Sequence, residues 1–201
     1  IRVTTTFAAS NLMSVNSGSA SIYIRDVTNA GTATVGDYVN IANAVTVGGI
    51  TAANINTQTG WVLTGVFYST APIVANVITT TNTAYDLNTA SYDTKTISVA
   101  WANNTLEVGN FISVAGLTGG SIGGITLAEM TGVFVVTSIL TSGVTVTGFT
   151  YSVPTTNATS TASGGGSTYT IGVSDVKMTV GAAATSTTIG GTTGTPPVTT
   201  L

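Results

Sequence analysis

The 201-residue chain contains no cysteine and no histidine. Without cysteine it has no disulfide staple, no thiol nucleophile and no thiolate metal site, and its redox compartment leaves no mark on it. Without histidine the usual serine nucleophile has no base, and the many serines include no Gly-x-Ser-x-Gly elbow. Charge is almost as scarce: 4 Lys+Arg and 7 Asp+Glu make up 5% of the chain, against about 25% in ordinary globular proteins. The four cations, Arg2, Arg25, Lys95 and Lys177, lie far apart. A nucleic-acid surface needs clustered cations to displace condensed counterions, so nucleic acid is not expected as a direct partner. No run approaches the roughly 18 apolar residues of a membrane-spanning helix, even though the mean hydropathy is +0.46. A membrane is likewise not expected, and the hydrophobicity is spread over short strands.

Polarity comes instead from Thr, Ser, Asn and 24 Gly, and the formal net charge is -3. A surface of hydroxyl, amide and backbone repels copies of itself weakly, which favours association over colloidal solubility. The composition therefore predicts a homo-oligomer packed among neighbours, with an isolated secreted β domain as the alternative. The first residue is Ile1, which suits a removed leader or a preceding segment equally well. At this length folding buries roughly 70% of the unfolded surface, enough for one large β domain or two small ones.

The chain repeats itself. Residues 35–42, Val-Gly-Asp-Tyr-Val-Asn-Ile-Ala, return as residues 108–115, Val-Gly-Asn-Phe-Ile-Ser-Val-Ala, and each copy is followed by Gly-Gly-Ile-Thr, at 48–51 and 123–126. Further upstream, Ile22-Tyr-Ile aligns with Ile97-Ser-Val. The sequence predicts an all-β fold of two tandem small β-barrel or sandwich-like modules with extended terminal arms. The boundaries expected are an N-terminal strand or arm at 1–18, repeat one at 19–92, repeat two at 93–172, and a C-terminal strand with a Thr/Gly-rich arm at 173–201.

Inside the repeats, Val39 and Ile41 match Ile112 and Val114 with a polar residue between, the period-two pattern of a half-buried strand. Gly36 and Gly109 precede these strands and are expected at positive φ or at a tight backbone approach. The Gly-Gly pairs read as turns, followed by the only plausible helical pieces, in which Thr51 and Thr126 would cap a single turn held by Ile55 and Met130. Glu129 lies three residues after Thr126, as in a capping box. Pro154–Thr168 is poor in apolar residues and is expected to be a long flexible loop or hairpin end. Residues 182–201 lack a core of their own and suit an extended arm.

Reactive chemistry is thin. The seven carboxylates are Asp26, Asp37, Asp86, Asp93, Glu107, Glu129 and Asp175, and no pair is marked for acid–base work across a cleft. Asp37 becomes Asn110 in the second repeat, so it is read as a turn-capping oxygen that Asn can replace. No Asp-x-Asp-x-Asp ladder for calcium occurs, and the Gly-rich stretch at 119–124 lacks the following Lys-Ser/Thr of a phosphate loop. The expectation is a chain with no catalytic residues, no metal site and no cofactor. Its assembly candidates are Tyr38 and Phe111, which share a repeat position, together with Trp61, Trp101 and the N-terminal strand face of Ile1, Val3 and Phe7.

The order of strand, Val-Gly-Asp/Asn-Tyr/Phe-Val/Ile, Gly-Gly-Ile-Thr turn, further apolar strand, and a Ser/Thr/Ala/Gly run such as Thr159-Ser-Thr-Ala-Ser-Gly-Gly-Gly resembles modules of tailed-bacteriophage virion proteins. Those modules are in turn likened to the first catalytic-cysteine half-domain of ubiquitin-activating enzyme, a likeness of small β module and not of ubiquitin chemistry. It covers residues 19–172 and departs from the pattern at Thr57-Gln-Thr-Gly-Trp. The resemblance implies a non-enzymatic component of a phage particle (tail, nozzle, fibre or capsid decoration), whose partners are its own copies and other virion structural proteins. Two other classes fit the sequence. One is an extracellular filament or pilus subunit that donates a terminal strand to its neighbour. The other is a carbohydrate-binding adhesin or glycan hydrolase using Trp61, Trp101 and the scattered acids.

Overall fold

The computed structural model describes residues 6–8, 13–25, 31–42, 44–69, 73–74, 77–80, 95–166, 169–190 and 198–200. Ile1 and Val3 lie outside them. The chain is nearly all-β, as expected, but its sheets are sandwich-like and do not close into a barrel. The strands are β1 (Thr6–Ala8), β2 (Met13–Val15), β3 (Ser21–Arg25), β4 (Tyr38–Ala42), β5 (Thr57–Tyr68), β6 (Ile73–Val74), β7 (Val77–Thr80), β8 (Thr96–Ala100) and β9 (Phe111–Ala115). They continue as β10 (Gly132–Val135), β11 (Ser138–Ser142), β12 (Thr145–Ser152), β13 (Ala162–Gly164), β14 (Thr170–Thr179), β15 (Thr188–Gly190) and β16 (Val198–Thr200). Two single-turn helices, α1 (Ala52–Ile55) and α2 (Leu127–Met130), follow the two Gly-Gly turns.

Two compact units divide the chain: unit 1 is residues 1–70, 109–111 and 173–201, and unit 2 is residues 71–108 and 112–172. In unit 1 the strand order is β1-β16-β4-β5-β14-β3-β2-β15, and in unit 2 it is β11-β12-β8-β7-β13. The inner run β5-β14-β3-β2-β15 repeats as β11-β12-β8-β7-β13, strand for strand. The duplication is therefore structural, but it is nested. In unit 2, β11 and β12 form a hairpin closed by a short turn at Gly143 and Val144. In unit 1 the paired strands β5 and β14 are separated by the sequence of unit 2, and residues 173–201 return to complete the first sheet.

Alternation explains which side chains face inward. Val39 and Ile41 of β4 are buried beside Leu63, Val176, Met178, Ile22, Ile24 and Met13 in the unit 1 core, while Tyr38 points out. In unit 2, Ile97, Val99, Phe149, Tyr151, Ile112 and Val114 are buried. Ile55 and Met130 are fully buried, as expected of residues that must hold such short helices. Burial of each side chain contributes about 2 kcal/mol, more than a four-residue helix gains from its own hydrogen bonds. The caps differ: Thr126 Oγ1 accepts from the Glu129 amide, whereas Thr51 makes no side-chain cap.

The two Gly-Gly turns are built alike. Val47 bridges Ile50 and Ile122 bridges Ile125. Gly48 and Gly123 both have φ +55, and Gly49 and Gly124 have φ +84 and +91. Each turn is gripped by a threonine from a later segment. The Thr185 amide and hydroxyl donate to the Gly48 carbonyl at 2.8 and 3.3 Å, and those of Thr159 donate to Gly123 at 2.7 and 3.2 Å. A Cβ on Gly49 would run into Thr185 Oγ1 and one on Gly124 into Thr159 Oγ1, while at Gly48 and Gly123 it would meet the carbonyls of Ser186 and Ser160. Only glycine fits, for conformation and for space.

Of Pro154–Thr168, expected to be a flexible loop or a hairpin end, the described residues 154–166 are anchored at several points. Val153 donates to Lys95, Thr159 holds the turn, and β13 pairs with β7. Backbone hydrogen bonds and hydroxyls supply the anchoring in a segment poor in apolar residues. Substituting Gly49→Ala or Gly124→Ala is expected to lower stability by about 2 kcal/mol or more. Gly120→Ala, where a Cβ meets nothing, should stay within about 0.5 kcal/mol of the parent. Urea denaturation of the three variants measures the contrast.

Candidate functional site

Three of the described acids, Asp37, Glu129 and Asp175, hold backbone amides. Asp37 Oδ2 accepts from the Thr34 amide at 2.9 Å, the turn-capping role expected for it. Glu129 Oε1 accepts from the Thr155 amide at 3.0 Å, the Thr155 hydroxyl at 2.7 Å and the Thr156 amide at 2.6 Å. It fastens the loop after β12 rather than closing a reciprocal capping box. The hydrogen bonds from Thr156 and Thr155 stabilise the charged form and lower its pKa to about 2. Asp26, Asp86 and Asp93 lie outside the described residues. Among the described residues no group of three or more acids could hold a metal ion.

Asp175 is the exception in kind. It sits on β14 between Arg25 of β3 and Phe67 of β5 and is fully buried. Its Oδ2 accepts from the Phe111 amide at 2.5 Å and from Asn110 Nδ2 at 3.1 Å. Oδ1 is buried without a hydrogen-bond partner. Burial drives the pKa well above the ordinary carboxylate value, against the opposing pull of the Phe111 amide, Asn110 and Arg25. Around this carboxyl, Ser14 Oγ donates to the Gly109 carbonyl at 2.6 Å, and Gly109, at φ +104, leaves no room for a Cβ beside the Tyr23 ring. Tyr23 in turn lies 6.2 Å from the Phe67 ring, with Lys177 Nζ 5.7 Å above its face.

This explains the Asp37/Asn110 difference between the repeats, which is not the interchange expected from turn capping. Asp37 is partly exposed and caps its own turn. Asn110 is buried and donates from Nδ2 to the Asp175 carboxyl, which an aspartate cannot do in its charged form. The aromatic pair diverges in the same way. Tyr38 is 50% exposed and Phe111 only 2%, so the structure places Phe111 in the interior and leaves Tyr38 as the outward member.

Tyr38 pairs across the ladder with Val62 of β5, and Val62 and nearby Val35 are exposed too. The turn between them is fixed by Gly36 donating to Leu63 and Leu63 donating to Asp37. The result is an outward apolar patch whose neighbouring charge, Asp37, is engaged by the Thr34 amide. Trp61 and Trp101 are half-buried: the Trp61 indole donates to the Ile55 carbonyl at 2.8 Å and packs on the unit 1 core. Trp101 meets Phe149 edge-on at 6.2 Å. Phe7 lies on β1 opposite Thr199. In unit 2 a cavity of about 270 Å³ is lined by Thr118–Ile122 and Ala162–Gly166. Glycine backbone and hydroxyls line it together with Ile122 and Ala162, and no titratable group is among the lining residues.

Compared with known proteins, the chain matches no family model, no curated protein and no solved structure.

Two pH effects of opposite sign follow. Asp175 has a raised folded pKa, so its contribution is present below about 3.8 and lost as pH rises through the folded value. Asp175→Asn should flatten that slope in chemical denaturation. Glu129 has a lowered pKa, so its contribution is present above 4.5 and lost as pH falls towards 2. Glu129→Gln should remove that acid-side loss and speed amide exchange at Thr155 and Thr156. Separately, Asn110→Asp sets two carboxyls together and is expected to cost about 3 kcal/mol. The exchanged pair Asn110→Asp with Asp175→Asn should recover most of it. Equal stability of the single and double variants would refute the pairing.

Proposed function

We propose that this chain is a non-enzymatic structural component of a bacteriophage virion, assembling with copies of itself and with other virion proteins through uncharged β surfaces and its terminal segments. The observation that carries the assembly part is the outward patch of Tyr38, Val62 and Val35 on a chain with 5% charged residues. Aromatic and aliphatic groups at the centre of an interface, without buried charge, are what stable protein contacts use. The repeat position filled by Tyr38 is filled by buried Phe111 in the second motif, so the fold can bury an aromatic at this position, and it leaves Tyr38 exposed. The virion part rests on the order of the repeated motifs.

Acids that each hold backbone amides support a passive role. Contacts made by hydroxyl, amide and apolar groups give association that salt does not screen. A filament subunit joined by a terminal strand is the second reading, favoured by the position of β1 as the outermost strand of its sheet.

Proteomics of purified phage particles tests the assignment: the chain is expected as a stoichiometric particle protein, and its presence only in phage-free cells would overturn it. For the face itself, Tyr38→Asp is expected to weaken self-association at least tenfold in sedimentation velocity, with the denaturation midpoint nearly unchanged. Association of the parent should differ little between 0.05 and 1 M salt, roughly.

A further inference from the structure

The segments that grip the two Gly-Gly turns are themselves a repeat. Ala158-Thr-Ser-Thr and Ala184-Thr-Ser-Thr are identical, and each is followed two residues later by Gly-Gly. Both are placed alike. The loop leading to each begins with a valine amide, Val153 donating to Lys95 at 3.0 Å and Val180 donating to Ala20 at 2.9 Å. Each ends in a short strand at a sheet edge, β13 on β7 and β15 on β2. Turn and clasp thus form a recognition pair. The turn offers one carbonyl and a surface that only glycine leaves open, and the clasp offers an amide, a hydroxyl and a small side chain. Nothing in it is charged.

The two clasps differ in how they reach their turns. Thr159 follows Gly123 by 36 residues, whereas Thr185 lies 137 residues from Gly48, on a segment that follows all of unit 2 in the chain. That segment enters over Gly181, where a Cβ would meet nothing, and over the exposed Ala183. It is then fixed by Ala184 donating to Ser19, Gly18 donating to Ala184, and Ser17 donating to Thr187 Oγ1 at 3.0 Å.

We infer that in the assembled state the clasp segment, residues 182–190, closes on the Gly48-Gly49 turn of a second copy of the chain. This deepens the assembly reading above and rests on it. The exchange creates no contact that the single chain lacks. It trades an intramolecular clasp for an identical intermolecular one, so its free-energy cost is that of association alone, offset by the high local concentration of clasps once copies are held side by side. β15, and β16 between β1 and β4, would travel with the clasp. Each copy would then give two strands to its neighbour.

The chain's lack of cysteine makes the test direct. Ser17 and Thr187 are both exposed and adjacent. The full-length Ser17→Cys, Thr187→Cys variant is assembled, oxidised and run under denaturing, non-reducing conditions. Covalent multimers that collapse to monomer on reduction are expected. Material that sediments as an assembly but crosslinks wholly within single chains overturns the exchange and leaves the assembly reading standing. Protein that stays monomeric and crosslinks internally overturns both. Should the double variant fold poorly, the two single variants are co-assembled, where a disulfide-linked pair of one Ser17→Cys and one Thr187→Cys chain is expected. No such pair in an assembly that forms contradicts the exchange.

Discussion

A carbonyl gripped by a threonine is the contact on which this architecture turns. At Gly48 and again at Gly123 the backbone adopts a left-handed turn that buries a carbonyl beneath a later segment, and threonine supplies both hydrogen bonds from its amide and its side chain. A chain with 5% charged residues has few ion pairs to fix its loops, and no cysteine to staple them. It relies on backbone groups satisfying one another where side chains are absent, which explains why glycine and threonine dominate where other proteins use charge. The three acids Asp37, Glu129 and Asp175 follow the same logic, since each accepts from a main-chain amide.

From that contact the duplication becomes intelligible. Each unit needs a strand pair, a turn, a single-turn helix, a return hairpin and a clasp. Unit 2 has them in chain order from β7 to β13, broken only by residues 109–111, which belong to unit 1. Unit 1 has them with the sequence of unit 2 set between β5 and β14, where unit 2 has only a tight turn. A hairpin tip is where an insertion disturbs least, because the flanking strands stay paired and the closure entropy grows only slowly with length. The fully exposed Val144 marks the matching tip in unit 2.

Much of the fold was legible. The alternation of Val39 and Ile41, the positive φ of Gly36 and Gly109, and the burial of Ile55 and Met130 all follow from local pattern. The nesting was not legible, because the offset of about 75 residues between motifs looks the same for units in series and for one inside the other. The clasp was visible as letters, Ala-Thr-Ser-Thr twice, but only 26 residues apart. It reads as low complexity until the turn that each copy holds is known. The Asp37 and Asn110 roles were separable only by burial, since a capping oxygen and a donor to Asp175 ask for similar side chains. At the candidate site, Tyr38 and Phe111 share a repeat position, yet the structure turns Tyr38 outward and Phe111 inward, a difference set by neighbours distant in sequence.

A surface of this kind carries little chemistry and much adhesion, and the account depends on its clasps being firm rather than fraying loop contacts. Native-state amide exchange at Thr159 and Thr185 measures this directly. Both amides are expected to exchange only through opening of the sheets they join, as slowly as the core strand amides of β8 and β3, and to lose that protection together with their glycines' fit in Gly124→Ala and Gly49→Ala. Exchange at either threonine as fast as in an open loop would contradict the central claim.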